Sequence, residues 1–359
     1  MAKTRILIAG AGHIGPAIAN ILSQDSNYDI VLVDQVVHES MRRMTQINIL
    51  EMNLADRAAL DEYLSQSPVD AIVCCLPYFL TMNMVKAALK YGAHYFDLTE
   101  DVHAGDEIQE LAQKSSAAFV PHCGLAPGFI DIVAHALIAE FDQVEEAKLR
   151  CGALPQSSSN ALQYARSWST DGLINEYLNR CLQLVDGKMS YADGLDDIED
   201  IQIDGAHYEA FNTSGGIGTL AQTHEHKVST LNYKTIRYPG HAEKMQFLAR
   251  GLKLDHDRPT LKRIIENAIP MTDQDVVVLY VAVVGTINDL VHRKTFVRKY
   301  FPTQIASQQV TAIQSVTASG ASAAIDIVLS NPKSYKGFIK QEDFTLGQIL
   351  QNRFGRILA

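Results

Sequence analysis

The first third of the chain sets short apolar runs between segments with helical spacing. "RILIAG" is β-rich, and "AGHIGPAIANIL" follows with Ile14, Ala17, Ile18 and Ile21 at helical intervals. "DIVLVDQ" and "INILEM" read as the next two strands and "DRAALDEYL" as a helix. "DAIVCCLP" has the unbroken apolar character of a strand buried on both faces. "LTMNMVKAALKYG" supplies the helix after it, "HYFDLTED" another strand and "AAFVPHCG" the last of the series. Strands alternating with helices predict a parallel sheet covered on both faces.

After "GLAPGF" the pattern changes. Helical spacing returns at 128–141 and 171–185, and long strand-like runs then follow one another. These are "HYEAFNTSGG", "HKVSTLNYKTIRYPG", "DVVVLYVAVVG" and "KTFVRKYF". Strands without intervening helices predict a mainly antiparallel sheet. "QSSSN" and "DGLDDIEDIQIDG" read as surface loops, and "ASGASAAIDIVL" as a final helix. The expected fold is α/β: a Rossmann-type doubly wound parallel sheet plus a second α+β domain with a mainly antiparallel sheet. The expected boundaries are 1–126 for a nucleotide-binding domain and 127–315 for a substrate-binding and dimerisation domain. Residues 316–359 are expected to form a helical segment packing back on the first domain.

The first turn carries G-x-G-x-x-G as Gly10, Gly12 and Gly15, with His13 and Ile14 between the last two. The first glycine permits the tight turn, the second lets a pyrophosphate approach the backbone, and the third allows close helix–strand packing. The helix N-terminus offers free N–H groups to phosphates, and Pro16 is harmless there because first-turn amides lack intrahelical acceptors. Asp34 closes the second strand, where an acid accepts the adenosine ribose hydroxyls and repels a 2′-phosphate. NAD is therefore expected, with NADP kept open by Arg42 and Arg43 nearby.

Composition narrows the class. At 359 residues and 47% apolar, two packed domains are expected, and a formal net charge of −10 argues against nucleic acid or an anionic membrane as partner. By its letters, no apolar run reaches the roughly 20 residues of a membrane helix. The five cysteines, Cys74, Cys75, Cys123, Cys151 and Cys181, lack C-x-x-C spacing and read as reduced thiols of a cytoplasmic protein. No metal site is expected: "THEH" places His224 and His226 two apart on what reads as a solvated strand.

Several stretches together resemble the saccharopine dehydrogenase and lysine 6-dehydrogenase family. They are the glycine fingerprint, "CCLPYFLTMNMVKAALKYGAHYFDLTED", "HCGLAPGF", "SWSTDGLINEY", "AFNTSGGIGTL" and "TIRYPGHAEKM". The resemblance implies an NAD(P)-dependent dehydrogenase acting on the C–N bond of an amino acid, and a homodimer. It also implies that Leu76, Pro77 and Tyr78 form a loop beside the nicotinamide. Ala126 stands where saccharopine reductases carry an aspartate, so the resemblance leans toward lysine 6-dehydrogenase. The alternatives are a saccharopine- or carboxynorspermidine-type reductase using NADPH, and a nucleotide-binding sensor without turnover.

Oxidising such a carbon requires a hydride acceptor, removal of the ammonium proton, a cation for the substrate carboxylate, and water. Arg237 suits the carboxylate, because its fork matches it bidentately. His241 stands past a Pro-Gly turn at a helix start and suits proton exchange near neutrality. Tyr238, alternating with Arg237, is expected to face away into a core. Asp97, Glu100 and Asp101 end a strand of the nucleotide fold. Asp97 is the first choice for the substrate proton, the competing reading being a cap of the loop. Trp168 is a candidate pocket wall, and Thr170 with Asp171 a helix N-cap. Asn175 is a candidate substrate contact, as is Glu176, for which a solvated face is preferred. Thr213 opens "TSGGIGTL", a close backbone approach or a bulge.

Overall fold

The computed structural model describes residues 3–38, 41, 44–158, 160–306 and 308–359; Arg42 and Arg43 lie outside them. It divides into two compact units. One comprises Met1–Phe129, Gln304–Val310 and Gln314–Ala359; the other comprises Ile130–Thr303 and Thr311–Ile313.

In the first unit, β1 (Thr4–Ala9), α1 (Gly15–Leu22), β2 (Tyr28–Asp34), β3 (Asn48–Glu51), α2 (Arg57–Gln66), β4 (Ala71–Cys74), α3 (Tyr78–Tyr91), β5 (His94–Asp97), α4 (Val102–Ala112) and β6 (Ala118–Val120) alternate as the pattern predicts. The sheet runs β6-β5-β4-β1-β2-β3, all parallel, with a two-residue strand, Gly337–Phe338, added beyond β6. Leu7, Val31, Ile72, Tyr95 and Phe119 bury one face of it. This parallel Rossmann-type sheet places every strand's carboxyl end on the same edge, where such folds bind ligands.

Helix α4 has no counterpart among the expected elements. Its start signal is local: Asp101 accepts the Ala104 N–H at 2.9 Å and caps the first turn. The last segment of the sequence returns to this unit. Tyr28 donates to Asp326 at 2.6 Å, and Asn352 donates to the other oxygen of that carboxylate at 2.7 Å. The helix Ala312–Ser330 is long and apolar enough by length and composition to cross a membrane, but 78% of the apolar window is buried in the protein. Ser, Thr, Gln and Asp interrupt its apolar letters, so the helix meets that test by average composition and contains no unbroken apolar run of that length.

The second unit contains α5 (Phe129–Ala139), β7 (Gln143–Pro155), α6 (Thr170–Leu178), β8 (Cys181–Val185), β9 (Lys188–Ala192), β10 (Glu199–Ile203), β11 (Ala206–Asn212), α7 (Leu220–His224), β12 (Val228–Arg237), α8 (His241–Gln246), α9 (Arg258–Ala268), β13 (Asp275–Ile287) and β14 (Leu290–Tyr300). Its sheet, β10-β11-β12-β7-β13-β14, is mixed: β12 and β7 run parallel and the other pairs antiparallel, with the β8–β9 hairpin attached at β12.

Two expectations fail here. Helical spacing through 185 gives way to β8, and the acidic loop contains β10. The central strand β7 is also absent from the expected elements, because its pattern is broken by charge. Arg150 is fully buried, with Glu199 of β10 on its Nε and Asn232 on its Nη1. Strand alternation also splits the core. Phe211 packs on one face with Tyr164, Tyr177 and the α8 and α9 side chains. Ala210, Ile236, Leu154 and Tyr208 form the core of the other, joined by Tyr238, whose hydroxyl donates to the Pro155 carbonyl at 2.8 Å.

Candidate active site

The glycine turn of the first unit is built for a dinucleotide. Gly10 adopts φ +103, and a Cβ there would sit 2.8 Å from the Cys75 carbonyl oxygen. A Cβ on Gly15 would lie 1.9 Å from the Gly10 oxygen, so helix and strand pack through this residue. Gly12 is the opposite case: a Cβ would meet nothing within 4 Å. That open space above exposed backbone is what a pyrophosphate needs. Asp34 accepts the Ala11 N–H at 2.6 Å, which fixes its carboxylate beside the turn. His13 is exposed and Ile14 half-buried at the start of α1. Leu76 and Pro77 lead into α3, where Tyr78 and Phe79 are exposed and their rings meet edge to face at 5.6 Å.

The three carboxyls after β5 have different surroundings. Asp97 is buried and receives the Tyr95 hydroxyl at 2.9 Å and the Thr99 and His122 N–H groups at 3.0 Å each. Burial raises its carboxyl above the ordinary range, against His122 and these hydrogen bonds. His122, at φ +64, completes the turn by donating Nδ1–H to the Thr99 carbonyl at 2.7 Å. These three hydrogen bonds tie Asp97 into the loop, as the competing cap reading expects. Asp101 caps α4. Glu100 is partly buried, and its carboxyl is met by its own backbone N–H. Burial pushes it up to about 7, opposed by that N–H and assisted by the charges of Asp101 and Asp97.

The second cluster surrounds Arg237, at the end of β12. Its strand neighbour Glu209 accepts the Gly240 and Ala242 N–H groups, at 2.7 and 2.6 Å, and so caps α8 in place of a local side chain. Gly240 makes the turn possible at φ +86. Arg237 is 2% exposed, with its guanidinium 4.9 Å from the Tyr164 ring centroid and 5.8 Å from that of Tyr177. Nε donates to the Tyr177 hydroxyl at 2.9 Å and Nη1 to the Ile236 carbonyl at 2.8 Å. Both acceptors are neutral. Among the described residues no carboxylate forms an ion pair with Arg237, although Glu176 adds a favourable field.

His241 is buried in the same cluster. Its Nδ1 lies 2.8 Å from the Leu162 carbonyl and its Nε2 2.9 Å from the Tyr177 hydroxyl. Burial, with the charges of Arg237 and Lys244, pulls its pKa down to about 3 against the Leu162 hydrogen bond. That direction runs against proton exchange near neutrality, the role expected from the sequence, and both ring nitrogens are engaged within the cluster. Tyr177, which joins the two residues, is not among the expected site residues; its place in the register of α6 is the only signal the sequence offers.

The remaining candidates scatter around this cluster. Trp168 donates its indole N–H to Tyr164 at 3.1 Å, so it braces the ring beneath Arg237. Ser169, rather than Thr170 or Asp171, caps α6 by accepting the Gly172 N–H at 3.2 Å. Asn175 turns its Oδ1 to Asn179 and Arg258, which gives it a structural environment. Glu176 is buried, not on a solvated face. Thr213 shares a hydrogen bond with Thr235 at 3.0 Å. In "TSGGIGTL", Gly216 is required by packing, since a Cβ would lie 2.3 Å from the Tyr233 ring. His224 ends α7, buried and 3.0 Å from His135, which corrects the solvated-strand reading.

Comparison with known proteins follows the same division. A family profile described as "Saccharopine dehydrogenase NADP binding domain" matches residues 6–121, and one described as "Saccharopine dehydrogenase C-terminal domain" matches residues 124–355. The mitochondrial alpha-aminoadipic semialdehyde synthase of Mus musculus is 23% identical over 284 residues, 75% of this chain and 30% of that protein. The saccharopine dehydrogenase (NADP(+), L-glutamate-forming) of Schizosaccharomyces pombe is 25% identical over 203 residues, 54% of this chain and 45% of that protein. These matches span less than half the length of either relative. The apo saccharopine dehydrogenase (L-Glu forming) of Saccharomyces cerevisiae has the same fold, with a TM-score of 0.75 at 16% identity over 94% of each protein.

Proposed function

This chain belongs to the saccharopine dehydrogenase family, and on that premise we propose that it oxidises a C–N bond in the side chain of an amino acid, with lysine the leading substrate. The observation that carries this reading is Arg237: a buried cation whose hydrogen-bond partners are all neutral. Burying a guanidinium without an ion-pair partner is costly; Glu176 adds only a field, and an arriving carboxylate supplies the direct partner. Because Nε is held by Tyr177 and one N–H of Nη1 by the adjacent carbonyl, the Nη1–Nη2 edge remains for bidentate contact with an α-carboxylate.

The first unit holds the cofactor at Gly10, Gly12 and Gly15, with His13, Ile14, Leu76, Pro77 and Tyr78 around it. When bound, the dinucleotide supplies the hydride acceptor. We place NAD ahead of NADP because the Asp34 carboxylate stands beside the turn where a 2′-phosphate would be repelled. Glu100 takes the proton from the substrate ammonium: among the described residues no other satisfies its carboxyl, and it ionises in the range a general base needs. Asp97 shapes the loop that carries Glu100.

A second reading is imine reduction with NADPH, favoured by the NADP named for the matching N-terminal family and for the S. pombe relative. The test is cofactor turnover with L-lysine and L-saccharopine under NAD and NADP. NADH formation with L-lysine, accompanied by ammonia, supports the proposal. NADPH consumption that requires an aldehyde together with an amino acid overturns it, as does cofactor binding without turnover on any amine.

A further inference from the structure

We propose that Tyr177 and His241 are a positioning pair that aims Arg237 at the substrate carboxylate while neither exchanges a proton with substrate. The inference rests on the carboxylate role of Arg237 and adds how that role is enforced. The direction of each hydrogen bond follows from chemistry. The Leu162 carbonyl can only accept, so His241 carries its proton on Nδ1. The ring is neutral, which leaves a bare lone pair on Nε2. Only a donor can approach that lone pair, so the Tyr177 hydroxyl points its proton at His241. The phenolic oxygen then has lone pairs left, and one receives Arg237 Nε–H.

The relay Arg237 Nε → Tyr177 → His241 → Leu162 carbonyl thus has one consistent proton arrangement. Protonating His241 would break it, because Nε2–H and Arg237 Nε–H would then both donate to the same phenol oxygen while its own proton lost its acceptor. Two further contacts lock the assembly: the Tyr164 ring against the guanidinium face, and the Trp168 indole on the Tyr164 hydroxyl. A guanidinium rotates freely at an exposed site. Here its Nε side is fixed, so the Nη1–Nη2 edge is presented in one orientation.

The test joins a spectroscopic readout to a kinetic one. Nitrogen NMR of ¹⁵N-histidine-labelled protein should show His241 as the Nδ1–H tautomer, unchanged between pH 8 and pH 5. An Nε2–H tautomer or an imidazolium in that window overturns the proposal. Tyr177→Phe and His241→Leu should each raise KM for L-lysine about 10-fold or more, as expected for disturbing a hydrogen bond to a charged group, with KM for the cofactor unchanged. His241→Gln, which can accept from Tyr177 and donate to Leu162, should restore most of the affinity. With L-lysinamide, which lacks the carboxylate, the penalty of Tyr177→Phe should disappear. Equal penalties for acid and amide, in variants that melt like the parent, would reduce the pair to packing residues. If Arg237→Ala penalises the acid and the amide equally, the carboxylate reading falls. If only the Tyr177 and His241 variants penalise the two equally, the positioning role falls alone.

Discussion

The turn after β5 and the end of β12 both crowd charged side chains into partly or fully buried space, yet they resolve that burden differently. After β5, most acceptor capacity is consumed by the backbone: Asp97 by Thr99 and His122, Asp101 by Ala104. Among these described carboxyls, only that of Glu100 is left without another residue on it. At the end of β12 the cation itself is fixed on one side and left open on the other. A titratable residue at the right address is therefore a weak functional sign; the bonding capacity that remains after the fold has taken its share is a stronger one.

The contrast is broken most severely at Glu100. Glu100→Gln should lower kcat by about 10²- to 10⁴-fold, the usual contribution of general base catalysis. In the parent protein kcat/KM should rise with pH through about 7, because the carboxyl must be ionised to accept a proton. A Gln variant with parental turnover, or a parent profile flat across neutrality, would show that Glu100 serves the fold in the way its neighbours do.

At Asp34 the expected effect is an order of magnitude or more in selectivity: Asp34→Arg should shift preference from NAD toward NADP, read as the ratio of kcat/KM for the two cofactors. Unchanged selectivity would confine Asp34 to holding the Ala11 N–H. Asp97→Asn sharpens the comparison from the stability side. One oxygen becomes an NH₂ that cannot accept, so a loss of about 1–3 kcal/mol is expected in denaturant unfolding, with cofactor affinity retained. Parental stability combined with lost turnover would restore Asp97 to the chemistry.

Per unit of pH, His241 gives a small signal, and the most specific one. Its folded pKa of about 3 lies below the unfolded value near 6.5, so the stability it adds is present above 6.5 and disappears as pH falls from there toward 3. His241→Gln should flatten that acid limb by at most about 1.4 kcal/mol per pH unit. An equally steep limb in the variant would show that other groups govern it.

The first unit is legible in the sequence because its sheet is apolar on both faces and its turn glycines are locally required; each strand of that series can be located from the letters. The second unit is less legible for a physical reason. Its central strand β7 carries a buried arginine whose partner, Glu199, is 49 residues away, so the alternation that marks a strand is broken by a charge neutralised at long range. The candidate site follows the same rule. Arg237 is identifiable from its residue type beside a Pro-Gly turn, but Tyr177 lies 60 residues from it, and no local pattern relates them. Whether Asp97 or Glu100 is free also depends on tertiary donors: His122 lies 25 residues beyond Asp97.

On the proposed function, the open edge of Arg237 receives the substrate carboxylate. The ratio of kcat/KM for L-lysine to that for L-lysinamide, compared between parent and Arg237→Ala, tests it most directly. The expected ratio is about 10 to 100 in the parent, from one charge-assisted bidentate contact, falling to near unity in the variant. A parent ratio near unity, or a variant that keeps the parental ratio, would contradict it.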